Sequence, residues 1–374
     1  MRRVVKVSRI RIIITIIVVV LTTLLTGCTG KEPNEIAYVV ALGIDSTDDD
    51  NYKITIQYAN TTQISGGASE SGGKAGSEIV DNVTIEAPNI YAGVGLANNI
   101  VSKSFSMSHA KLIVFSKEIA EKGVKDMIET LVRSEEIRPD VFIAVANTTA
   151  NDYLTSVNPE MEVNPAQYYQ LIYQKNQLVG IPDGQLREFF TGLYTDNYDS
   201  ILPVAGVIEG SGGNSQNDDK GQSKDGQNEG SEGSSESLDS FESKSSNEKD
   251  ENEKEKDAEK NTSKYEYDIK NYIGGETTIE KKNKAEAIGA AVFEKDKMVG
   301  ELGEVETEIC KILKGDYTYS YLTYYNNDTP DIPITVKTTQ QKKPKYKIDT
   351  DKKTVDIELY IESDLYSLPA DYNK

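Results

Sequence analysis

The sequence is poor in the side chains that build catalytic and metal sites. Among its 374 residues there are one histidine, His109, two cysteines and no tryptophan. A single histidine excludes a histidine metal cluster and any Ser/His/Asp or Cys/His relay that needs a second histidine. The sequence also has no phosphate-binding glycine loop and no nucleophile elbow. These absences predict a chain that is not an enzyme and that uses no metal and no cofactor.

Long apolar runs are also missing, with one exception near the N-terminus. Residues 12–25 form a run of fourteen residues that are all β-branched or leucine. A membrane-spanning helix needs about 20 apolar residues, and no second run of this kind follows downstream. The rest of the chain is therefore predicted to be exported and soluble.

The apolar run has the flanks of an export signal. A basic segment precedes it and small residues follow it, which is the order that export signals share. The basic residues are Arg2, Arg3, Lys6, Arg9 and Arg11. We therefore interpret residues 1–27 as a signal peptide.

The end of this segment, "LTGC", resembles the bacterial lipobox. In a lipobox the cysteine thiol receives a diacylglyceryl group and the signal is then cut just before the cysteine. Small residues such as Thr26 and Gly27 let the backbone enter a peptidase groove, and the cysteine supplies a strong nucleophile. The resemblance implies cleavage between Gly27 and Cys28 and lipidation of Cys28. Two alternatives remain open, an ordinary signal with an incidental cysteine and an uncut signal anchor.

The charge of the chain restricts its partners. Removal of the five positive charges in residues 1–27 takes the formal net charge from −20 to −25. So acidic a chain does not neutralise phosphates, and we predict no nucleic-acid partner. An anionic lipid surface repels it as well, which makes a covalent anchor more necessary.

The cysteine count excludes a disulfide framework. If lipid occupies Cys28, the other cysteine, Cys310, has no partner within the chain. Cys310 stands among the apolar residues Ile309, Ile312 and Leu313. This setting predicts a buried structural thiol.

Composition divides the chain into four parts. After the signal peptide, residues 28–208 carry strand and helix patterns that predict an N-terminal α+β region. Residues 209–264 are dominated by glycine, serine, asparagine and charged residues, with sixteen acidic and seven basic side chains between 209 and 261. Such a segment buries too little apolar surface to offset its ordering entropy, which predicts a disordered acidic linker. Residues 265–374 resume the patterns and form the predicted C-terminal domain.

The clearest folding unit lies between residues 110 and 146. "LIVF" is typical of a buried strand, and Ser116 after it is typical of a helix cap. The apolar spacing that follows predicts a helix, which ends at Arg138 and Pro139. A second strand, "VFIAVA", comes next. A strand, helix, strand order predicts parallel pairing with a right-handed connection. We therefore predict an α+β fold of mixed β-sheets with flanking helices, in two to three domains joined through the acidic insertion.

The C-terminal part contains local signals of its own. A strand pair turns at residues 294–297, a helix ends at Gly315, and two alternating strands turn at Lys352 and Lys353. The chain stops soon after these strands, which leaves them little to pack against.

Three motifs invite a functional interpretation that their details disfavour. The acidic turn that contains Asp45 has Asp50 and Ile56 where a calcium loop needs glycine and glutamate. Gly93 and Gly95 lack the third glycine of a dinucleotide loop. His109 is interpreted as a strand-edge side chain, with a lone general base or pH sensor as the alternative.

Several blocks of the sequence together resemble the Ger(x)C family of spore germination lipoproteins. They are "LLTGC", "NEIAYVVALGID" with "YKITIQYAN", "FSMSHAKLIVFSKEIAEKGVKDMIETLVRSEEIRPDVFIAVA" and "GAAVFEKDKMVGELGEVET". The residues that carry the resemblance are Gly43, Ile44, Asp45, His109, Lys111, Arg133, Glu136, Ile137, Ala291 to Gly300 and Glu306. The chain departs from the family at Thr29, where an aromatic residue is frequent. It also stops short of the helices and strands with which members usually continue, so the resemblance implies a truncated C-terminal domain.

The resemblance implies a non-enzymatic, lipid-anchored subunit of a nutrient germinant receptor. Such a subunit lies on the outer, extracytoplasmic face of the inner spore membrane and acts with two integral-membrane partners, the A and B subunits. Its implied nutrients are small molecules such as amino acids or sugars, but which of them it serves, and whether it contacts them, stays open. Two other classes compete with this interpretation, an extracytoplasmic solute-binding lipoprotein and a lipid-anchored adhesin or wall enzyme.

Overall fold

The structure is a computed structural model that describes residues 11–20, 32–49, 51–60, 80–159, 162, 164–174, 180–208, 267–268, 271–277, 283–326 and 329–367. The predicted cleavage and lipidation site at Gly27 and Cys28 lies outside these residues, as does the acidic segment 209–264. Residues 11–20, which comprise Arg11 and the first part of the apolar run, are helical. Where the chain is described, no helix has the length and apolar character that a membrane crossing requires.

Within the described ranges, nine strands form one large mixed sheet. They are β1 (Ile36–Ser46), β2 (Tyr52–Ala59), β3 (Val80–Ala87), β4 (Ser104–Ser106), β5 (Leu112–Ser116), β6 (Phe142–Ala146), β7 (Ser200–Val207), β9 (Ala285–Glu294) and β10 (Lys297–Leu302). Their order across the sheet is β10-β9-β7-β6-β5-β1-β2-β3, and β4 pairs beside the beginning of β1. A second sheet contains β8 (Tyr267–Asp268), β11 (Tyr319–Asn326), β12 (Thr329–Asp349) and β13 (Thr354–Ser367).

Helices flank the large sheet. They are α1 (Ile90–Ala97), α2 (Lys117–Lys122), α3 (Lys125–Val132), α4 (Ala150–Ser156), α5 (Pro165–Gln174), α6 (Leu186–Leu193) and α7 (Glu304–Lys314). One apolar core lies between the sheet and α1, α2, α3 and α6. A second apolar core lies between the sheet and helices α4 and α5, and it includes the side chains of Tyr153 and Tyr169. The predicted class, mixed sheets with flanking helices, is therefore confirmed.

The centre of the sheet is parallel, as the strand, helix, strand pattern predicts. Strand β5 pairs in parallel with β1 on one side and with β6 on the other, and β7 continues the parallel order beyond β6. The Ser116 hydroxyl accepts the Ile119 N–H at the start of α2, which confirms the predicted cap. The amino ends of β1, β5, β6 and β7 consequently lie at one edge of the sheet.

The helix between β5 and β6 is shorter than predicted and is interrupted. Gly123 has a left-handed φ of 121° and separates α2 from α3, and α3 already ends at Val132, before the predicted stop at Arg138. The Val124 N–H donates to the carbonyl of Asp296 in the β9–β10 turn, 3.0 Å away. Gly123 is thus a local stop for α2, and a contact from a distant part of the chain holds the backbone immediately after it.

The two parts that flank the acidic segment share the large sheet. Strand β9 pairs antiparallel with β7, and β10 pairs antiparallel with β9, so that β7 lies inside the sheet. The backbone of residues 271–277 crosses closely over β7, because a Cβ on Gly206 would lie 2.0 Å from the carbonyl carbon of Gly274. The division of the chain into residues 28–208, 209–264 and 265–374 remains a prediction. The large sheet contains strands from the first and the last of these three parts.

The β12–β13 hairpin leaves apolar side chains exposed. Tyr346 pairs with Ile357 and Ile348 with Val355, so these side chains share one face of the hairpin. Each of them is between 46% and 68% exposed. The hairpin confirms the predicted turn at Lys352 and Lys353, and in the described part of the chain this face has no packed layer over it.

Candidate functional site

The residues that carry the family resemblance fall into separate structural roles. Gly43 and Asp45 lie on β1, and helix α4 packs against the strand at these two residues. A Cβ on Gly43 would meet Leu154 Cδ1 at 3.0 Å and Ala150 Cβ at 3.1 Å, so the small residue lets α4 pack closely on the strand.

Asp45 caps helix α4 from a distant part of the chain. One carboxylate oxygen accepts the Ala150 N–H at 2.7 Å and the other accepts the Asn151 N–H at 3.0 Å. Thr149 Oγ1 accepts the next N–H, that of Asp152, at 2.9 Å. Every N–H in the first turn of the helix that lacks a helical acceptor is thus satisfied by a side chain. Burial raises the pKa of Asp45, although both backbone hydrogen bonds oppose that rise.

Two polar side chains of the acidic turn, Asp45 and Thr47, are used in hydrogen bonds to the backbone. Asp45 points its two oxygens at helix α4, and Thr47 donates to the backbone carbonyls of Asp49 and Asn51. Among the described residues no group of three or more His, Cys, Asp or Glu side chains is arranged to hold a metal ion.

His109 is an exposed side chain at the approach to β5, as the sequence predicts. Its ring packs edge-on against Tyr38 with 4.8 Å between ring centroids, and its Nδ1 lies 3.0 Å from Ser108 Oγ. The Lys111 backbone N–H donates to the Val40 carbonyl, and the Lys111 carbonyl accepts the Phe142 N–H. The arrangement around His109 is that of an edge side chain with a local hydrogen bond.

The remaining resemblance residues stabilise loops and helix ends. Glu136 accepts the Met107 N–H at 2.6 Å and holds the segment before β5, while Ile137 is buried beside it. Arg133 forms an exposed ion pair with Glu129. Glu306 accepts the Gly303 N–H at 2.9 Å and thereby caps α7, a hydrogen bond that lowers the pKa of Glu306. These residues build the fold and do not converge on one site.

A cleft that no sequence pattern predicts lies between α6, the start of β7 and the end of α7. It has a volume of about 360 Å³. Its lining contains charges of both signs together with Phe189 and Tyr198, which offer apolar surface. The charged residues of the lining are Asp183, Glu188, Asp316, Lys311 and Lys314. Residues 182–202 and 311–318 are far apart in sequence, and no local motif connects them.

Three of the five charged groups of the cleft are partly withdrawn from water. Burial raises the pKa values of Asp183 and Glu188 and lowers that of Lys311. Lys311 Nζ donates to the Ile181 carbonyl at 3.1 Å. On the acid side, the buried oxygens Asp183 Oδ1 and Gln185 Oε1 have no hydrogen-bond partner in the described structure. The cleft therefore contains charged groups whose hydration is reduced.

Next to the cleft, a buried carboxyl group joins α7 to the second sheet. Glu308 is 3% exposed and accepts a hydrogen bond from Ser320 Oγ at 2.8 Å. Ser320 Oγ lies 2.6 Å from the Tyr317 hydroxyl, which donates to the Thr338 carbonyl on β12. Burial raises the pKa of Glu308 to about 7. The joint between the two sheets thus contains a group that titrates near neutral pH.

The stability of the chain is expected to depend on pH through Glu308. The folded-state pKa of about 7 exceeds the ordinary value of 4.5, so the folded chain binds more protons than the unfolded chain between these values. The free energy of unfolding therefore falls as pH rises through this window. Glu308→Gln keeps an acceptor for Ser320 and removes the charge. We expect this variant to gain on the order of 2 kcal/mol at pH 8 and to change little at pH 4.

The measurement is urea unfolding of both chains at pH 4, 5.5, 7 and 8. Glu86→Gln, on the exposed side of edge strand β3, is the matched control and is expected to follow the wild-type curve. Asp45, Asp183 and Glu304 also have raised pKa values, so the informative quantity is the difference between variant and wild type. A constant difference across the four pH values contradicts the assignment to Glu308.

Cys310 is less buried than predicted. It lies on α7 and is half-buried, and its neighbour Ile309 is exposed. The apolar sequence around it is divided between two faces of the helix, and only Ile312 of this group is fully packed. The prediction of a buried thiol was therefore wrong.

Comparison with known families accounts for both outer parts of the chain. Residues 30–207 match the family described as "Spore germination protein N-terminal domain". Residues 288–374 match the family described as "Spore germination B3/ GerAC like, C-terminal". No solved structure matches the chain significantly.

Individual relatives agree with the family matches. The chain is 26% identical over 174 residues to spore germination protein KC of Bacillus subtilis, an alignment that covers 43% of this chain and 42% of the relative. It is 28% identical over 145 residues to the putative spore germination protein YfkR of the same organism, covering 38% of this chain and 37% of the relative. Spore germination protein GerQC of Bacillus cereus is 27% identical over 104 residues, with 28% and 29% covered. The alignments with the first two span about two fifths of each relative's length.

Proposed function

This chain belongs to the Ger(x)C family of spore germination proteins, and from that premise we propose that it is a lipid-anchored, non-enzymatic subunit of a nutrient germinant receptor. It acts in spore germination together with integral-membrane A and B subunits. Its anchor is a diacylglyceryl group on Cys28, and its folded part lies on the extracytoplasmic face of the inner spore membrane.

The observation that supports this proposal most is the order of segments in one chain. A basic segment and an apolar run end in "LTGC", and the first family match begins at residue 30, two residues after Cys28. A lipid anchor would therefore be followed at once by the germination domain. Such a chain contributes to the receptor by contacting the membrane-embedded subunits. Because the chain and these subunits are confined to one membrane surface, their effective concentration is high, and a modest interface is enough for binding.

The sheet topology favours one orientation toward the membrane. Strand β1 begins at Ile36, eight residues after Cys28, and eight residues reach at most about 28 Å. The amino ends of β5, β6 and β7 lie at the same edge as that of β1. This amino edge, formed by the beginnings of the four parallel strands, is the part of the fold that we expect to face the membrane and the partner subunits.

The alternative of a two-lobed solute-binding lipoprotein has less support. That class needs two similar lobes joined by a hinge, with the ligand between them. In the described part of the chain, strands from both outer parts join one continuous sheet. A second sheet of different topology stands beside it, so the described architecture offers no pair of similar lobes.

Germination of spores that lack the gene tests the proposal. We expect the deletion to reduce or abolish the response to at least one single nutrient and to leave the response to a non-nutrient trigger intact. An intact gene returned to the chromosome is expected to restore the response. In the same spores, the tagged chain is expected to co-purify with A and B subunits from solubilised membranes. A normal response to every nutrient tested, with no co-purifying membrane partner, contradicts the proposal.

A further inference from the structure

Strand β13 forms an open edge of the second sheet. The strand order there is β13-β12-β11-β8, and among the described residues no strand pairs with the outer side of β13. The strand is 14 residues long, and over residues 354–365 the irregularities of its pairing lie on β12. A regular edge of this length presents a row of backbone N–H and C=O groups, to which another extended chain can pair.

One face of β13 is apolar and exposed. Side chains alternate between the two faces of a strand, and the apolar side chains of β13 share one face with Ser363. They are Val355, Ile357, Leu359, Ile361 and Leu365, each between 42% and 59% exposed. Helix α7 reaches this side of the sheet at β12, where Gln340 Nε2 donates to the Ile312 carbonyl at 2.8 Å. A strand added at the edge therefore gains cross-strand contacts if it presents apolar side chains on the same face.

The opposite face of β13 is acidic, and β13 contains no basic residue. The acidic residues are Asp356, Glu358, Glu362 and Asp364. On their inner side, β12 places lysines opposite three of them, in the pairs Lys347 with Asp356, Lys345 with Glu358 and Lys337 with Asp364. Lys345 Nζ lies 3.6 Å from Glu358 Oε2, and Gln341 donates a hydrogen bond to Glu362. Each carboxylate thus has a neighbour on β12, whereas its outer side faces the open edge.

The charge pattern disfavours a second copy of this chain at the edge. When two β13 strands join their apolar faces on one side of a continuous sheet, they also join their acidic faces on the other side, whatever the direction of the strands. Carboxylates of one copy then lie beside carboxylates of the other. Like charges that lie opposite one another destabilise strand pairing, so the edge selects against itself.

We propose that the open edge of β13 binds an extended segment of a partner protein in which apolar residues alternate with lysine or arginine. The segment pairs its backbone with β13 and continues the second sheet. Its apolar side chains lie beside the apolar face of β13, and its basic side chains lie outside the carboxylates, as the lysines of β12 lie inside them. This surface goes beyond the proposed function, because it needs neither the lipid anchor nor the A and B subunits.

Fluorescence anisotropy of labelled peptides, titrated with the full chain in non-ionic detergent micelles, tests this surface. Three peptides match residues 354–365 in length. The first alternates valine with lysine, the second alternates valine with glutamate, and the third has the composition of the first in an order that breaks the alternation. We expect the first to bind at least about tenfold more tightly than either of the others. The third peptide measures simple attraction to a chain with a net charge of −20.

A double charge reversal assigns the binding to β13. Asp356→Lys with Asp364→Lys replaces two exposed carboxylates and is expected to weaken binding of the alternating lysine peptide at least about fivefold. The matched control is Asp49→Lys with Glu86→Lys, which changes the net charge equally. Glu86 lies on edge strand β3 opposite Lys53, so the control also places one lysine opposite another. We expect the control to leave Kd within about twofold.

Three results of the titrations overturn the proposal: no binding of the alternating lysine peptide up to about 1 mM chain, equal binding of the peptide without alternation, or a β13 reversal that binds like its control. The comparison of peptides on the wild-type chain decides the matter without any variant.

Light scattering of the chain without peptide tests the second-copy alternative. We expect one copy in each micelle. A dimer that dissociates on the substitution Ile357→Lys would place a second copy at the edge and would also overturn the proposal. Because these experiments involve no spore and no membrane subunit, their failure leaves the germination proposal intact, and failure of the germination test leaves this surface intact.

Discussion

Replacement of Cys28 by alanine is expected to abolish stable membrane retention of the processed chain. A diacylglyceryl cysteine carries two or more acyl chains, and two anchoring signals are needed for stable attachment, since one acyl chain binds a membrane only marginally. The formal net charge is −20 for the full chain and −25 without the five positive charges of residues 1–27, so an anionic lipid surface offers no electrostatic attraction in place of the lipid. We therefore expect Cys28→Ala to give either a released chain or an uncut precursor.

Metabolic labelling with a fatty acid, mass determination and membrane sedimentation distinguish these outcomes. Cys310→Ala is the matched control because Cys28 and Cys310 are the two cysteines of the sequence. The control variant is expected to keep the label, the processed mass and the sedimentation of the wild type. If the Cys28→Ala chain is cut after Gly27 and still sediments with the membrane, the lipobox interpretation is wrong.

Replacement of Asp45 by alanine is expected to lower the free energy of unfolding by about 2 to 4 kcal/mol. Asp45 is 5% exposed and its two oxygens hold the N–H groups of Ala150 and Asn151. Its burial raises its pKa, so ionisation itself is unfavourable in the folded state. The loss on substitution comes from the two N–H groups, which are left without acceptors under the packed helix.

Urea unfolding of three variants measures this effect. Asp45→Ala is expected to show the full loss, and Asp45→Asn a smaller one, because its single side-chain oxygen satisfies one of the two N–H groups. Asp49→Ala, in the same turn but exposed, is expected to stay within about 0.5 kcal/mol of the wild type. Equal midpoints for Asp45→Ala and Asp49→Ala contradict the capping role.

Several elements were predictable because their signals are local. The β9–β10 turn, the helix that ends at Gly315 and the long β12–β13 hairpin each depend on alternation, helical spacing or a left-handed glycine within a few residues. Gly315 has φ of 76°, a conformation that glycine adopts without steric strain. The parallel order of β5 and β6 followed in the same way from a short crossover.

Other features escaped prediction because they depend on which distant segments meet. After Gly123, the Val124 N–H donates to the carbonyl of Asp296, a residue far away in the sequence. Glu308 titrates near neutral pH because the second sheet covers it. Neither a periodicity nor a motif reports such contacts.

The sequence by itself determined the segment order, the acidic balance, the lone histidine and the character of the local elements, since these depend on residue chemistry and short-range sterics. It also supplied the residues by which the family is recognised. The tertiary structure alone decided that β9 extends the sheet beside β7, that Asp45 reaches a helix 105 residues later, and that residues 183–188 and 311–316 line one cleft. These outcomes depend on long-range strand pairing and on the burial that follows it, and adjacent residues do not encode either.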